Sequence, residues 1–442
     1  MRSPQPCVDW VGCERDDVTT WPEPRRASGE SAWLAATKRT LDRPLTSYHL
    51  VLGASGLLLA LGLVMVLSAS SVTSELQDGS PYYIFTRQAI WVAVGIPLAW
   101  VASTMRVTWI RRMSYPALLV SIVLICLTYV PGFGVEVNGN RNWISFGGPL
   151  TLQPSEVAKL AIVLWAADLY ARKHKLLAEW KHLLIPMVPV TGLVAALVVG
   201  QGDLGTALVL FAVILGMLWV VGAPARLFIG AALAVAGLAM FLATTASYRM
   251  NRLLTFTDPF SDYHHTGWQP AHGFFALAQG GWWGVGIGAS TEKWSGLPAA
   301  HTDFIFAVIG EELGLFGTLV VLGLFVTLAY AGIRIALRTK DRFVRYAAAG
   351  ITIWLLGQAM VNIGMVLGLL PVIGIPLPLV SYGGSALLPT LISLGLLLAF
   401  AKTEPGARTA LRAKRRQSWR ARIFAAGTAR ARVPASSGSK RG

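Results

Sequence analysis

The chain has 442 residues, 54% of them hydrophobic and only 14% charged, with a formal net charge of +16. A water-soluble domain of this length could not hide so much apolar surface in one core, so a soluble globular protein is excluded and a membrane protein is expected. Apolar stretches of roughly 18 to 25 residues recur through it, each long enough to cross about 30 Å of hydrocarbon as a helix.

Residues 1–45, rich in Pro, Ser and Arg, come first and read as a disordered cytoplasmic tail. Ten spans are then expected, at about 48–70, 84–104, 113–131, 154–171, 183–200, 204–222, 226–246, 304–332, 345–369 and 384–401. The first follows a long mixed-charge tail and has the length of a true crossing, so it reads as a retained helix and not as a cleaved signal. Lys38, Arg39 and Arg43 precede it; Arg106, Arg111 and Arg112 follow the second span, Arg172, Lys173, Lys175 and Lys181 the fourth, and Arg334, Arg338, Lys340 and Arg342 the eighth. The positive-inside rule then places both termini in the cytoplasm and the alternate connections outside. The expected fold class is an all-α polytopic membrane protein, with ten transmembrane helices in a domain of residues 46–402 and one long extracellular loop between spans seven and eight.

The tail at 403–442 is densely basic and reads as disordered and cytoplasmic. Attraction to anionic headgroups explains it more simply than nucleic acid, so membrane lipids are expected partners and nucleic acid is not. Cys7, Cys13 and Cys126 lack metal-ligand spacing, no internal repeat is visible, and the sequence indicates neither a cofactor nor a metal such as a divalent cation.

An ionisable group inside a bilayer costs on the order of 2.5 to 3.5 kcal/mol, so each one within a span is a functional candidate. In "LQPSEVAKLAIVLW", Pro154 suits a first helical turn, and Glu156 and Lys159 share one helical face, where they form either a self-neutralising ion pair or the wall of a polar cavity. Asp203, among glycines in "GQGDLGTAL", reads as a helix N-cap. Arg141 in "NGNRNWISFGG" lies in an outside turn, as an interface anchor or a phosphate contact.

The longest outside segment runs from about Ser247 to Asp303, and length of that kind usually means function. Arg249 and Arg252 suit a short interfacial helix, and Trp282, Trp283 and Trp294 suit headgroup level. The segment ends in His301, Thr302 and Asp303, which either cap the eighth span or carry chemistry. Glu311 and Glu312 follow about two turns deeper, so at least one should face a polar interior, where either burial raises its pKa or a partner such as Lys159 compensates it. Pro371, Pro376 and Pro378 then forbid continuous helix, and irregular backbone at such depth is tolerated only against protein or a cavity.

"NGNRNW", "LQPSEVAKL", "GDLGTAL", "DPF", "GGWWGVGIGAS", "LPAAHTDFIFAVIGEELG" and "IPLPLVSYGGSAL", in that order over residues 45–402, closely resemble the SEDS (shape, elongation, division and sporulation) family, and within it the division type of high-GC Gram-positive bacteria. The resemblance implies a peptidoglycan glycosyltransferase of the cytoplasmic membrane that polymerises lipid II at its outer face, for septal synthesis in cell division, with an elongation-type polymerase as the close alternative. The family's essential aspartate falls on Asp303, and its fourth-span pair on Glu156 and Lys159. His301, Thr302, Glu312 and Ser381 stand in matching motifs as supporting residues. Departures occur where Asn142 holds the usual arginine position, where His272-Gly273 replaces a usual Gln-Ser pair, and at Trp268. Implied partners are lipid II, a class B penicillin-binding transpeptidase bound through its transmembrane helix, and other divisome proteins.

Transfer needs one base, because a diphosphate leaves without a proton; Asp303 is expected to accept the acceptor proton. Arg252, Lys293 and Arg249 are expected to meet the leaving charge, with Lys159 a candidate only if the cavity reaches its depth. A transporter for the same lipid-linked sugar, or a scaffold recruiting division proteins, are the alternatives of other classes.

Overall fold

The computed structural model describes residues 43–137, 140–145, 151–177, 179–244, 259–260, 263–264, 267–294, 296–407, 409–411 and 413. Residues 1–42 of the first expected tail and, in the second, residue 408, residue 412 and residues 414–442, together with Cys7, Cys13, Arg249, Arg252 and the expected interfacial helix, lie outside the described residues.

Without water to bond the backbone, a spanning segment must satisfy its own amides, and the apolar stretches accordingly form helices. In chain order these are α1 (Thr46–Asp78), α2 (Tyr83–Thr104), α3 (Val107–Leu127), α4 (Pro154–Lys173), α5 (Trp180–Leu184), α6 (Met187–Gly200), α7 (Leu204–Val221), α8 (Ala225–Thr244), α9 (Trp268–Gly280), α10 (Ile305–Arg338), α11 (Arg342–Val366) and α12 (Leu387–Ala401). Among the described residues, eight helical segments are long and apolar enough to cross a membrane, against the ten expected, with α5 and α6 together making one of them. Helices α4 and α8 stand where the fourth and seventh spans were expected.

Helix α4 falls short in apolarity for a physical reason. Nearly every residue from Pro154 to Tyr170 is buried, packed against α3, α7 and α11. A helix enclosed by other helices need not present hydrocarbon to lipid, so it can carry Glu156, Lys159 and Asp168. Helices α2 and α3 instead expose Trp100, Val101, Leu119, Val120 and Val123, as a lipid-facing surface does.

The stretch around Arg141, expected as a plain turn, is a three-stranded antiparallel sheet of β1 (Gly134–Val137), β2 (Asn140–Ser145) and β3 (Thr151–Leu152). Pro154 opens α4, where its missing N–H costs nothing. Asp203 caps α7 by accepting from the Thr206 N–H at 2.9 Å, and its other oxygen accepts from Gln153 Nε2 at 2.8 Å and Asn142 Nδ2 at 3.2 Å. One carboxylate therefore ties the sheet, the start of α4 and the start of α7 together.

Helix α10 is broken at Gly314 (φ 66°, ψ −165°), a conformation open essentially to glycine alone. The break removes helical partners from both sides, and residues 281–286 replace them. Val285 and Gly286 N–H donate to the Glu311 and Glu312 carbonyls at 2.9 and 3.0 Å, while Leu315 N–H donates to the Gly281 carbonyl at 2.9 Å. The half-helix 305–313 is thus held to the loop by backbone bonds. At its start stand His301, Thr302 and Asp303.

Candidate active site

Asp303 is partly exposed and precedes Phe304, the residue at the cap position of α10, so the aspartate is not itself the N-cap. Thr302 turns back instead, its Oγ1 donating to the Ala299 carbonyl at 3.1 Å. His301 is fixed by its carbonyl, which accepts from Tyr382 N–H at 2.9 Å, and its ring lies 5.7 Å from the Tyr382 ring. Burial pushes its imidazole down to about 4, so the ring is neutral at neutral pH. The three residues form a turn placed by its neighbours.

Opposite lies the proline-rich segment before α12. Pro376 and Pro378 have no N–H to give, and the carbonyls beside them find donors on α11. Asn362 Nδ2 donates to the Ile375 carbonyl at 2.6 Å and to the Asp303 carbonyl at 2.8 Å. One turn earlier, Gln358 Nε2 donates to the Pro376 carbonyl at 3.0 Å. Gly374 (φ +74°) runs so near the aspartate that a Cβ there would lie 3.5 Å from Asp303 Oδ2. Ser381 is buried and closes this segment's last turn, its Oγ accepting from Leu377 N–H at 2.8 Å.

Lys159 is 1% exposed and donates to Glu156 Oε1 at 2.7 Å and to Gln358 Oε1 at 2.9 Å. Its ammonium also lies 5.7 Å from the Trp354 ring centroid. The expected ion pair is present. The other oxygen, Glu156 Oε2, has no hydrogen-bond partner among the described residues. Through Gln358, this pair belongs to the same network as the Asp303 backbone.

The deeper carboxylates find partners that sequence spacing does not reveal. Glu312 is met by Lys293, at 3.4 Å, and not by Lys159. Ser68 on α1 donates to Glu312 Oε1 at 2.6 Å. Lys293 in turn is 7% exposed and donates to the Gly288 carbonyl at 2.5 Å, so in this structure its ammonium is engaged with the loop carbonyl and with Glu312. The partner of Glu312 is chosen by the way residues 281–294 fold over the Gly314 break. Glu311 is saturated separately, accepting from Ser290 Oγ at 2.6 Å, Thr291 N–H at 2.7 Å and Thr291 Oγ1 at 3.1 Å.

Arg252 lies outside the described residues. Arg141 is exposed, while neighbouring Asn142 points to Asp203. His272, where the family pattern has another residue, contacts Glu292 Oε2 at 2.5 Å and the Tyr263 hydroxyl at 3.1 Å. Sequence reasoning missed Asn362, Gln358 and Ser68, though two amides four apart in an otherwise apolar span were a readable signal. It also missed Asp168, fully buried between Arg111 and Arg172, the latter at 2.7 Å. Among the described residues no group of three or more His, Cys, Asp or Glu is placed to hold a metal ion.

The arrangement offers a partly exposed carboxylate at the end of a bundle, neutral histidine beside it, and a buried polar network beneath. The family model described as "Cell cycle protein", for FtsW, RodA and SpoVE, matches residues 48–405. The chain is 44% identical over 375 residues, 85% of its length and 71% of the relative's, to a Mycobacterium tuberculosis protein named "Probable peptidoglycan glycosyltransferase FtsW". A Legionella pneumophila protein of the same name is 36% identical over 81% of this chain and 92% of its own. Among solved structures, a chain from "Structural coordination of polymerization and crosslinking by a peptidoglycan synthase complex" superposes with a TM-score of 0.66 at 29% identity, covering 80% of this chain and 96% of that one. Thermus thermophilus Rod shape determining protein RodA does so with a TM-score of 0.59 at 27% identity, covering 80% and 96%. With the family model spanning the whole helical bundle and such relatives along most of its length, the chain belongs to the FtsW/RodA/SpoVE family.

Proposed function

We propose that this multi-pass membrane protein is a peptidoglycan glycosyltransferase that joins lipid II units into glycan strands at the outer face of the cytoplasmic membrane, at the division septum. The observation that carries the reading is Asp303: a partly exposed carboxylate at the start of α10, in a chain 44% identical to a relative named for this activity.

In the reaction, the 4-hydroxyl of an acceptor GlcNAc attacks C1 of a donor MurNAc. The C1–oxygen bond to the lipid diphosphate breaks, the diphosphate departs with the electron pair, and the anomeric centre inverts. Asp303 takes the hydroxyl proton, a role that contributes roughly 10²- to 10⁴-fold. No acid is needed, since a diphosphate is a stable anion as it leaves. Its charge requires cations, for which Arg252 and Arg249 are the proposed residues; Lys159 and Lys293 are committed to buried carboxylates. Burial keeps His301 neutral at neutral pH.

Both termini are proposed to be cytoplasmic, as the Lys and Arg distribution supports. The likeness to a chain of a synthase complex that coordinates polymerization and crosslinking supports a penicillin-binding transpeptidase as partner.

The test uses the purified full chain with lipid II in detergent, alone and with its partner transpeptidase. Detergent removes any compartment, so glycan product is expected from a polymerase and not from a carrier. Transport of lipid II in vesicles with no product in detergent would replace this reading by a transporter.

A further inference from the structure

Two side-chain amides on α11, Asn362 and Gln358, stand four residues apart and so on one face of the helix. Both are buried, at 0% and 3% exposure. Together they hold consecutive carbonyls, Ile375 and Pro376, of the irregular segment that prolines have stripped of helical bonding. Each amide also has a second commitment. Asn362 holds the backbone of Asp303, and Gln358 accepts from Lys159 Nζ and from Trp354 Nε1 at 3.0 Å.

The orientation of Asn362 is not open to exchange of its oxygen and nitrogen. Both its close neighbours are carbonyl oxygens, so only the NH₂ group can face them. Its Oδ1 is left without a hydrogen-bond partner among the described residues, a penalty that a residue filling space alone would not carry. The segment held by these amides is the one whose Gly374 backbone runs beside Asp303 Oδ2.

From this geometry we infer that Asn362 is a positioning residue for the Asp303 carboxylate, and that Gln358, one turn away, sets the Lys159–Glu156 pair in register with it. The inference rests on the reading of Asp303 as the base. Asn362 touches no reacting atom. It fixes the peptide that carries the carboxylate and the strand of backbone facing it, so that the aspartate meets the acceptor hydroxyl at hydrogen-bond distance. Displacement of such a group by about 1 Å costs on the order of 10²-fold in rate without weakening substrate binding.

The test compares Asn362→Ala, Asn362→Asp, Gln358→Ala, Gly374→Ala and Asp303→Asn in detergent with lipid II, reading kcat, KM and the thermal midpoint of each. Asn362→Asp keeps the shape but turns a carboxylate toward two carbonyls, and Gly374→Ala strains the left-handed backbone (φ +74°) beside the Asp303 carboxylate should Asn362 variants fold poorly. For Asn362→Ala, kcat is expected to fall about 10- to 100-fold with KM for lipid II within about twofold. Gly374→Ala is expected to show the same split, and Gln358→Ala a smaller one. Loss of turnover in Asp303→Asn with unchanged kcat in Asn362→Ala and Gly374→Ala overturns the positioning inference alone. Undiminished turnover in Asp303→Asn overturns the base reading instead. A rise in KM at constant kcat would make Asn362 a binding residue and equally defeat the inference.

Discussion

Asp303 and the pair Glu311–Glu312 stand on one short stretch of chain, yet the fold treats their carboxylates in opposite ways. Glu311 and Glu312 are fully buried, and hydroxyls, backbone N–H groups and one ammonium surround them. Asp303 remains partly exposed, steadied through its backbone by Asn362. A carboxylate saturated by fixed donors has no lone pair to offer a substrate and gains stability from its partners. Asp303, half-exposed, keeps part of its surface within reach of solvent while Asn362 holds its backbone. Exposure and partners, more than residue type, distinguish the two kinds of carboxylate.

The comparison breaks most visibly at Lys293. Lys293→Met leaves Glu312 as an uncompensated buried charge, and the expected loss is about 3 to 5 kcal/mol of stability. Thermal unfolding in detergent measures it, and turnover per folded molecule should stay unchanged if Glu312 is a brace.

Acid sharpens the other side of the contrast. His301 binds a proton in the folded protein only below about pH 4, whereas its ordinary value is 6.5. Falling pH therefore loads the unfolded chain first: stability present above pH 6.5 is lost progressively toward pH 4, by about 3 kcal/mol for a shift of this size. Replacing His301 by Gln should flatten that limb of a stability-against-pH curve. An unchanged limb would assign the acid sensitivity to another group.

The smallest effect belongs to Ser68→Ala. Its hydroxyl donates to both oxygens of Glu312 at 2.6 and 2.8 Å, linking α1 to α10. Removing a buried hydrogen bond to a charged group costs about 2 kcal/mol, again readable as a lower thermal midpoint with unaltered kcat.

Much of this contrast was legible in the sequence, and its limits are physical. Hydropathy located the helices because each must satisfy its own backbone in lipid, and Pro154, Asp203 and the Glu156–Lys159 pair stand where local rules put them. Apolarity misjudged α4, since a helix shielded on all sides is free to carry charge. The sheet at 134–152 escaped notice because short strands leave little periodicity to read. Lys159 is one candidate partner for the Glu311–Glu312 pair in the sequence, but Glu312 meets Lys293, because a glycine break in α10 brings a distant loop across it. Asn362 bonds across long separations, so its spacing from Gln358 showed a polar face but not what that face holds.

The central claim is that the Asp303 carboxylate takes the acceptor proton. Its most direct measurement is the rate of lipid II polymerisation by Asp303→Asn, a neutral isostere, alongside its thermal midpoint and its affinity for lipid II. Turnover should fall by roughly 10²- to 10⁴-fold with folding and affinity preserved. A folded Asp303→Asn protein that polymerises lipid II at the parent rate would contradict the account.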